Sequence, residues 1–276
     1  MNFNTLLVHL EHNGDNEGVL KIAGELAARF GSKVIGIAAA QPVQIFYDEG
    51  GAAGQILAED RAEIVKETSA CMAQFHQALE GNVRHLEWRC TITFDSLADF
   101  IAEQARAADL IITGKDIGGT LLDSTRRVNI GQLAVMAGRP ILLVPQGITT
   151  LPLRHVFVAW KDSREARRAA ADALPLLEAA GHATVIEVTS DQDNAEAEKR
   201  VKDVSLWLEQ HKLSATPLAL ATRAAQGGVL RAELLQRNCD LLVAGAFGHS
   251  RLGEWVFGGV THDFLLDPDF CTLLSH

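Results

Sequence analysis

One stretch of this chain occurs twice. Ala108-Asp-Leu-Ile-Ile-Thr-Gly114 returns 131 residues later as Cys239-Asp-Leu-Leu-Val-Ala-Gly245. The same offset carries Arg127 onto Gly258 and Pro140-Ile-Leu-Leu-Val144 onto Cys271-Thr-Leu-Leu-Ser275. A constant register over about thirty residues is the mark of a duplicated unit rather than of chance likeness between buried strands. Near the first strands the offset reads 151, so the first copy is longer by about twenty residues, most simply in the 41–55 loop and the helix after it.

Within each copy short apolar runs alternate with amphipathic segments. In the first copy, strands are predicted at 5–10, 33–40, 86–92, 110–113 and 141–144, and helices at 17–30, 56–79, 96–106 and 128–137. In the second, strands are predicted at 156–160, 183–188, 216–220, 241–244 and 271–274, and helices at 163–180, 195–211, 228–237 and from about 259 to 266. Strand and helix taking turns imply a parallel, doubly wound sheet with right-handed crossovers. Residues 146–154 read as a linker, which gives two domains, 1–146 and 154–276.

The chemistry is concentrated at 241–261, where a buried strand runs into glycines 245, 248, 253, 258 and 259 just before a helical segment. Glycine lets the backbone approach a ligand, and the first turn of a helix offers unpaired N–H groups and a positive dipole end. Together these suit a phosphate. The spacing Gly245-x-x-Gly248, nine residues, Gly258, followed by Gly259-Val260-Thr261, resembles the ATP-binding signature of the universal stress protein family. With the tandem repeat, the chain resembles tandem universal stress proteins over nearly its full length, which implies an α/β, Rossmann-like fold of the adenine nucleotide alpha hydrolase-like type.

The resemblance implies ATP, or ADP or AMP, as ligand of the second domain. Its contacts would be Trp160 and Asp162 after the first strand, the backbone of Val188, and the loop residues Gly245, Gly248, His249, Ser250, Gly258, Gly259, Val260 and Thr261. Two positions depart from the family pattern. Lys161 stands where the family has an Asp that contacts adenosine, with Asp162 one residue later, free either to replace it or to cap the next helix; Gly259 stands where a small hydroxyl residue belongs. The first domain departs further, with Ile117 in place of the second glycine and Arg127 in place of the last, so it is expected to be a structural or partner-binding half. The family's fifth strands pair across a two-fold interface, so a tandem chain could form its own pseudo-dimer, with a homodimer of the whole chain as a further option.

Other chemistries find less support. The net charge of −10, from 25 basic and 35 acidic residues without a basic block, argues against nucleic acid as the main partner. The N-terminus lacks a basic region, its apolar run is short, and no uncharged apolar stretch approaches the roughly 18 residues of a membrane span. Cys71, Cys90, Cys239 and Cys271 are far apart, which predicts buried thiols in a reducing cytoplasm. His249, His262 and His276 lack metal-ligand spacing, so no metal is assigned and Mg2+ would arrive with ATP. No general base is evident, so hydrolysis is at most a slow ATPase activity. A version of the same fold that binds no nucleotide, and acts through protein partners or a small apolar ligand, is the alternative.

Overall fold

The computed structural model describes residues 2–43, 53–114, 126–246 and 269–276. The first half runs β1 (Thr5–His9), α1 (Glu17–Phe30), β2 (Lys33–Ala40), α2 (Ala53–Leu79), β3 (Leu86–Ile92), α3 (Leu97–Gln104) with a 3-10 turn at Ala105–Ala107, β4 (Leu110–Gly114), α4 (Ile130–Met136) and β5 (Ile141–Val144). The second runs β6 (Val156–Ala159), α5 (Arg164–Asp172), α6 (Leu174–Ala180), β7 (His182–Thr189), α7 (Asn194–Glu209), β8 (Ser214–Ala221), α8 (Gln226–Gln236), β9 (Leu241–Gly245) and β10 (Cys271–Ser275).

Among the described residues all ten strands lie in one sheet, in the order β3-β2-β1-β4-β5-β10-β9-β6-β7-β8. Every neighbouring pair is parallel except β5 and β10, which run antiparallel. The sheet is therefore two five-stranded parallel units joined edge to edge. At the join Leu142 faces Leu273, residues that stand 131 apart, so the pseudo-two-fold axis relating the copies passes through this pair. That is the expected pseudo-dimer.

Side chains alternate across the pleat. Leu6, Val8, Leu142, Val158, Val243 and Leu273 belong to one core that runs unbroken through both halves under α1, α2, α5, α6 and α7. On the opposite face, Leu7, Ile111 and Leu143 pack under α3 and α4, and Phe157, Ile186 and Leu242 pack under α8. With helices on both faces the inner strands must be apolar on both sides, which is why they appear in the sequence as continuous runs rather than as alternations. Gly31 and Gly181 close α1 and α6 in the left-handed region, at φ of 69° and 73°. Among the described residues no helix is long and apolar enough to cross a membrane.

Several expectations need correction. The segment 163–180 is two helices rather than one, because Pro175 has no N–H to continue the first and opens α6 instead. The β8 strand is longer than expected and includes Pro217, which is tolerated because β8 is an edge strand. Residues 146–154 join the two halves as a packed segment: Leu151 and Leu153 are buried in the main core, and the Leu151 N–H donates to Glu25 at 3.2 Å. The helix expected at 96–106 is α3 at Leu97–Gln104 followed by the 3-10 turn, and Ser96 before it makes no side-chain cap bond. Cys71, Cys239 and Cys271 are buried, but Cys90 is exposed on the edge strand β3.

The register refines the repeat. Leu6 pairs with Leu110 and Val156 with Leu241, so the first strands are 150 residues apart and not 151. The second strands stand 149 apart and the third 129, which places the extra residues of the first copy between β2 and β3. Part of the excess is helix, since α2 has 27 residues and its counterpart α7 has 16.

The seam pair allows a direct test. Leu142→Ala and Leu273→Ala should each lower the unfolding free energy in urea by about 2–5 kcal/mol. Because the two side chains are cross-strand partners, the double variant should depart from additivity by about 0.5 kcal/mol or more. Strict additivity would mean that the seam does not hold in solution.

Candidate functional site

In an open parallel sheet the crevice for a ligand lies beyond the carboxyl ends of the strands where strand order reverses. Each half has one such place, between β1 and β4 and between β6 and β9. The two are built very differently.

In the second half the chain leaves β6 at Trp160, whose N–H donates to the Ile186 carbonyl at 2.7 Å. Trp160 is half-buried against the main core, and among the described residues its indole Nε1 is buried without a hydrogen-bond partner. Lys161 and Asp162 are exposed. A tight turn, Ser163 N–H to Lys161 carbonyl at 2.6 Å, then starts α5. The cap is Ser163, whose Oγ accepts from the Ala166 N–H at 3.2 Å, and not Asp162. Asp162 instead meets Arg167 at 2.6 Å, with more than half of each side chain in solvent. Such a pair contributes little and leaves the carboxylate able to exchange partners.

Val188 lies two residues beyond Ile186, the last β7 residue paired with β6. Beside it, Glu187 is buried and takes a two-point contact from Arg200 of α7, with Nε at 3.1 Å and Nη2 at 2.6 Å. The fields of Asp162 and Asp193 also act on Arg200, whose pKa is raised first by its bond to Glu187. Arg200 has no signature in the sequence, because a basic residue on a polar helix acquires one only when the fold brings it to Glu187.

Gly245 closes β9, and its backbone does not adopt positive φ. A side chain here would begin 2.6 Å from the Ala166 backbone nitrogen and 2.6 Å from the Glu165 carbonyl carbon. This glycine therefore lets α5 sit directly on the strand. Glu165, at that contact, is buried. Burial alone would raise its carboxyl pKa, but its own backbone N–H, the Ser163 hydroxyl, Arg164 and His276 together hold it below the usual range.

Trp160, Asp162, Val188 and Gly245 thus gather at one end of the sheet. Gly248, His249, Ser250, Gly258, Gly259, Val260 and Thr261 lie outside the described residues. So do Ile117 and His262, whereas His276 is described, with Nδ1 at 3.0 Å from the Ala246 carbonyl. Among the described residues no cluster of His, Cys, Asp or Glu could hold a metal ion.

In the first half the described residues bring the chain's own charges together near the corresponding place. The Arg126 guanidinium donates to the Gln41 carbonyl at 2.7 Å, to Asp60 at 2.7 Å and to Glu67 at 3.3 Å. Asn13 donates to the other Glu67 oxygen. His9 bonds Thr113 across β1 and β4 at 2.8 Å, and His12 bonds Thr68 of α2 at 3.0 Å. Burial, helped by nearby His12, pushes the His9 pKa down to about 3. Burial, then the Arg126 charge, pushes His12 down to about 4. The clamped guanidinium belongs to Arg126, next to the Arg127 that stands at the position of the last glycine.

Comparison with protein-family models finds no match, and comparison with curated proteins finds none either. Solved structures do match. A universal stress protein from Archaeoglobus fulgidus superposes with a TM-score of 0.75 at 12% identity, covering 99% of this chain and 98% of that one. This chain has the universal stress protein fold. A putative universal stress protein from Pseudomonas aeruginosa shares the fold with a TM-score of 0.65 at 16% identity, over 99% of this chain and 93% of that one. A functionally unknown protein from the same species follows at 0.61 and 16%, over 99% and 92%. Coverage of both chains nearly end to end means that the universal stress protein fold extends across both halves of the sheet.

The two strand-end glycines make a matched pair of tests. Gly245→Ala must displace the first turn of α5 and should cost about 1–3 kcal/mol, seen as a lower Tm. Gly114→Ala in the first half, where the nearest atom is a Glu11 carboxylate oxygen at 3.7 Å, should change Tm little. Equal effects would refute the packing role assigned to Gly245.

Proposed function

We propose that the protein is a stress-response regulatory module that binds ATP, or the related ADP or AMP, in the second-half crevice. The first half serves as a structural or partner-binding unit. The observation that carries this reading is the difference between the two crevices. Arg126, Asp60 and Glu67 interlock over the end of the first-half strands. At the end of β6 the polar groups are an exposed Lys161, an exposed Asp162 and the nearby Arg200. Into the same end runs the glycine-rich segment that begins at Gly245.

In this reading Asp162 exchanges Arg167 for a ribose hydroxyl, and backbone groups near Val188 meet the base. The phosphates lie against the glycine-flanked stretch from Gly245 through Gly248, His249 and Ser250 to Gly258, Gly259, Val260 and Thr261. Trp160, whose indole N–H has no partner among the described residues, borders the ligand. Mg2+ accompanies ATP through the phosphates, without a protein ligand set. Four free cysteines agree with a cytoplasmic protein. Regulation rather than turnover is the role in this reading, since no general base is evident in the sequence.

A second reading is favoured by Gly245 itself, whose missing side chain is accounted for by α5 alone. In that reading the loop is scaffold, and the protein acts through protein partners or a small apolar ligand. Isothermal titration of ATP, ADP and AMP into protein stripped of co-purified ligand separates the two. Saturable binding near one site per chain, lost in Gly248→Arg, is the expected result. Absence of binding to well-folded protein would overturn the nucleotide reading. Phosphate release above a Gly245 and Gly248 double variant would make the protein an ATPase.

A further inference from the structure

Three segments meet over the carboxyl end of β1, and their charges interlock. Arg126, on the approach to α4, is held by Asp60 and Glu67 of α2 and by the Gln41 carbonyl after β2. Only 17% of the Arg126 side chain and 9% of each carboxylate side chain is exposed, so water screens these pairs weakly. His12 is wedged into the same corner, 7% exposed. Its Nε2 is engaged with the Thr68 hydroxyl, and among the described residues its Nδ1 is buried with no partner. Among the described residues the packed elements bring a limited set of charged and titratable groups here. They are Asp60, Glu67 and Cys71 from α2, Arg126 from the approach to α4, and His9 and Glu11 from β1 and its turn; β4 adds the neutral Thr113.

We propose that this corner is an acid-operated latch: neutral His12 lets Arg126 tie α2 to the approach of α4, and protonated His12 drives Arg126 off the α2 carboxylates. A proton arriving at His12 goes to one of two nitrogens that are both out of water, and its charge falls beside a guanidinium. Once both nitrogens carry N–H, the Thr68 hydroxyl can accept from Nε2, but among the described residues Nδ1 has no acceptor in the closed corner. Opening relieves both costs at once, because the imidazolium reaches water and the two cations separate. His9 lies deeper in the sheet, tied to Thr113 across β1 and β4, and takes no part in the latch.

The direction in pH follows from proton binding. Closed, His12 stays neutral down to about pH 4. Open, it takes its proton near pH 6.5, like any exposed imidazole. The open form therefore binds more protons between those limits, and the closed form loses stability as pH falls from about 6.5 to about 4. Above that window the latch is insensitive to pH.

Hydrogen exchange of the full chain at pH 7 and pH 5, converted to opening constants after correction for intrinsic exchange, tests this. Amides of α2 and of 126–136 should open about twentyfold more at pH 5 than at pH 7 for one titrating imidazole. The second half should respond less, and His12→Asn, which can still bond Thr68 but cannot titrate, should lose the acid response. NMR titration of the imidazoles provides a check that needs no variant: His12 should titrate well below 6.5, and Arg126→Gln should move it upward. An equal acid response in His12→Asn, one spread evenly over both halves, or a native His12 titrating near 6.5 would overturn the latch.

Discussion

The antiparallel pairing of β5 with β10 is the contact on which the rest of this structure depends. Each copy of the repeat, taken alone, would end in a strand whose N–H and C=O groups face water on one side, an edge open to unwanted pairing. Joining the two edges satisfies both sets of groups and buries every residue of Ile141–Val144 and Cys271–Ser275. It also fuses two cores into one, since Leu142, Val144, Cys271 and Leu273 belong to a single apolar layer under the helices of both halves. The segment 146–154 is drawn into that layer through Leu151 and Leu153, so the connection between copies is itself part of the core.

Once the sheet is continuous, its two crevices are held in fixed relation by a pseudo-two-fold axis, yet only the backbone is symmetric. In the second half, α5 lies close on β9 at Gly245, and Ser163 and Glu165 consolidate its first turn. In the first half, the longer α2 supplies Asp60 and Glu67 at the same end of the sheet, and Arg126 joins them. A buried guanidinium between two buried carboxylates has to stay where its partners are, because separating them would strand charge in a medium that solvates it poorly. Duplication thus produced one end with ionic contacts gathered near it and one bordered by exposed Lys161 and Asp162.

Much of the architecture was legible in the sequence. The strands at 86–92 and 141–144 and the helix at 17–30 occur as expected, because alternation, an apolar run between prolines and a 3.6-residue period ending at glycine are local signals. The misreadings have local causes as well: an apolar period that continues across 163–180 hid the interruption that Pro175 imposes. The site was legible in part. Glycine spacing drew attention to Gly245, and the Asp after β6 to Asp162, but the competition between Asp162 and Ser163 for the cap was decided by the geometry of one turn. Arg200 and Arg126 carried no pattern at all, since their partners, Glu187 and the α2 carboxylates, are 13 and about sixty residues away along the chain.

The sequence by itself determined that the chain is a repeat, that each copy is a wound parallel unit, and that glycines cluster after the fourth strand of the second copy. These are properties of neighbours in the chain, and local periodicity and turn chemistry suffice to express them. Only the tertiary structure decided that the copies pair through β5 and β10, that Gly245 serves the contact with α5, and that Arg126, Asp60 and Glu67 come together near the first crevice. Each of those outcomes depends on distance between residues far apart in sequence. Charge pairing and close packing fall off within a few ångströms, so no order of residues along a chain states them until the sheet has brought the residues together.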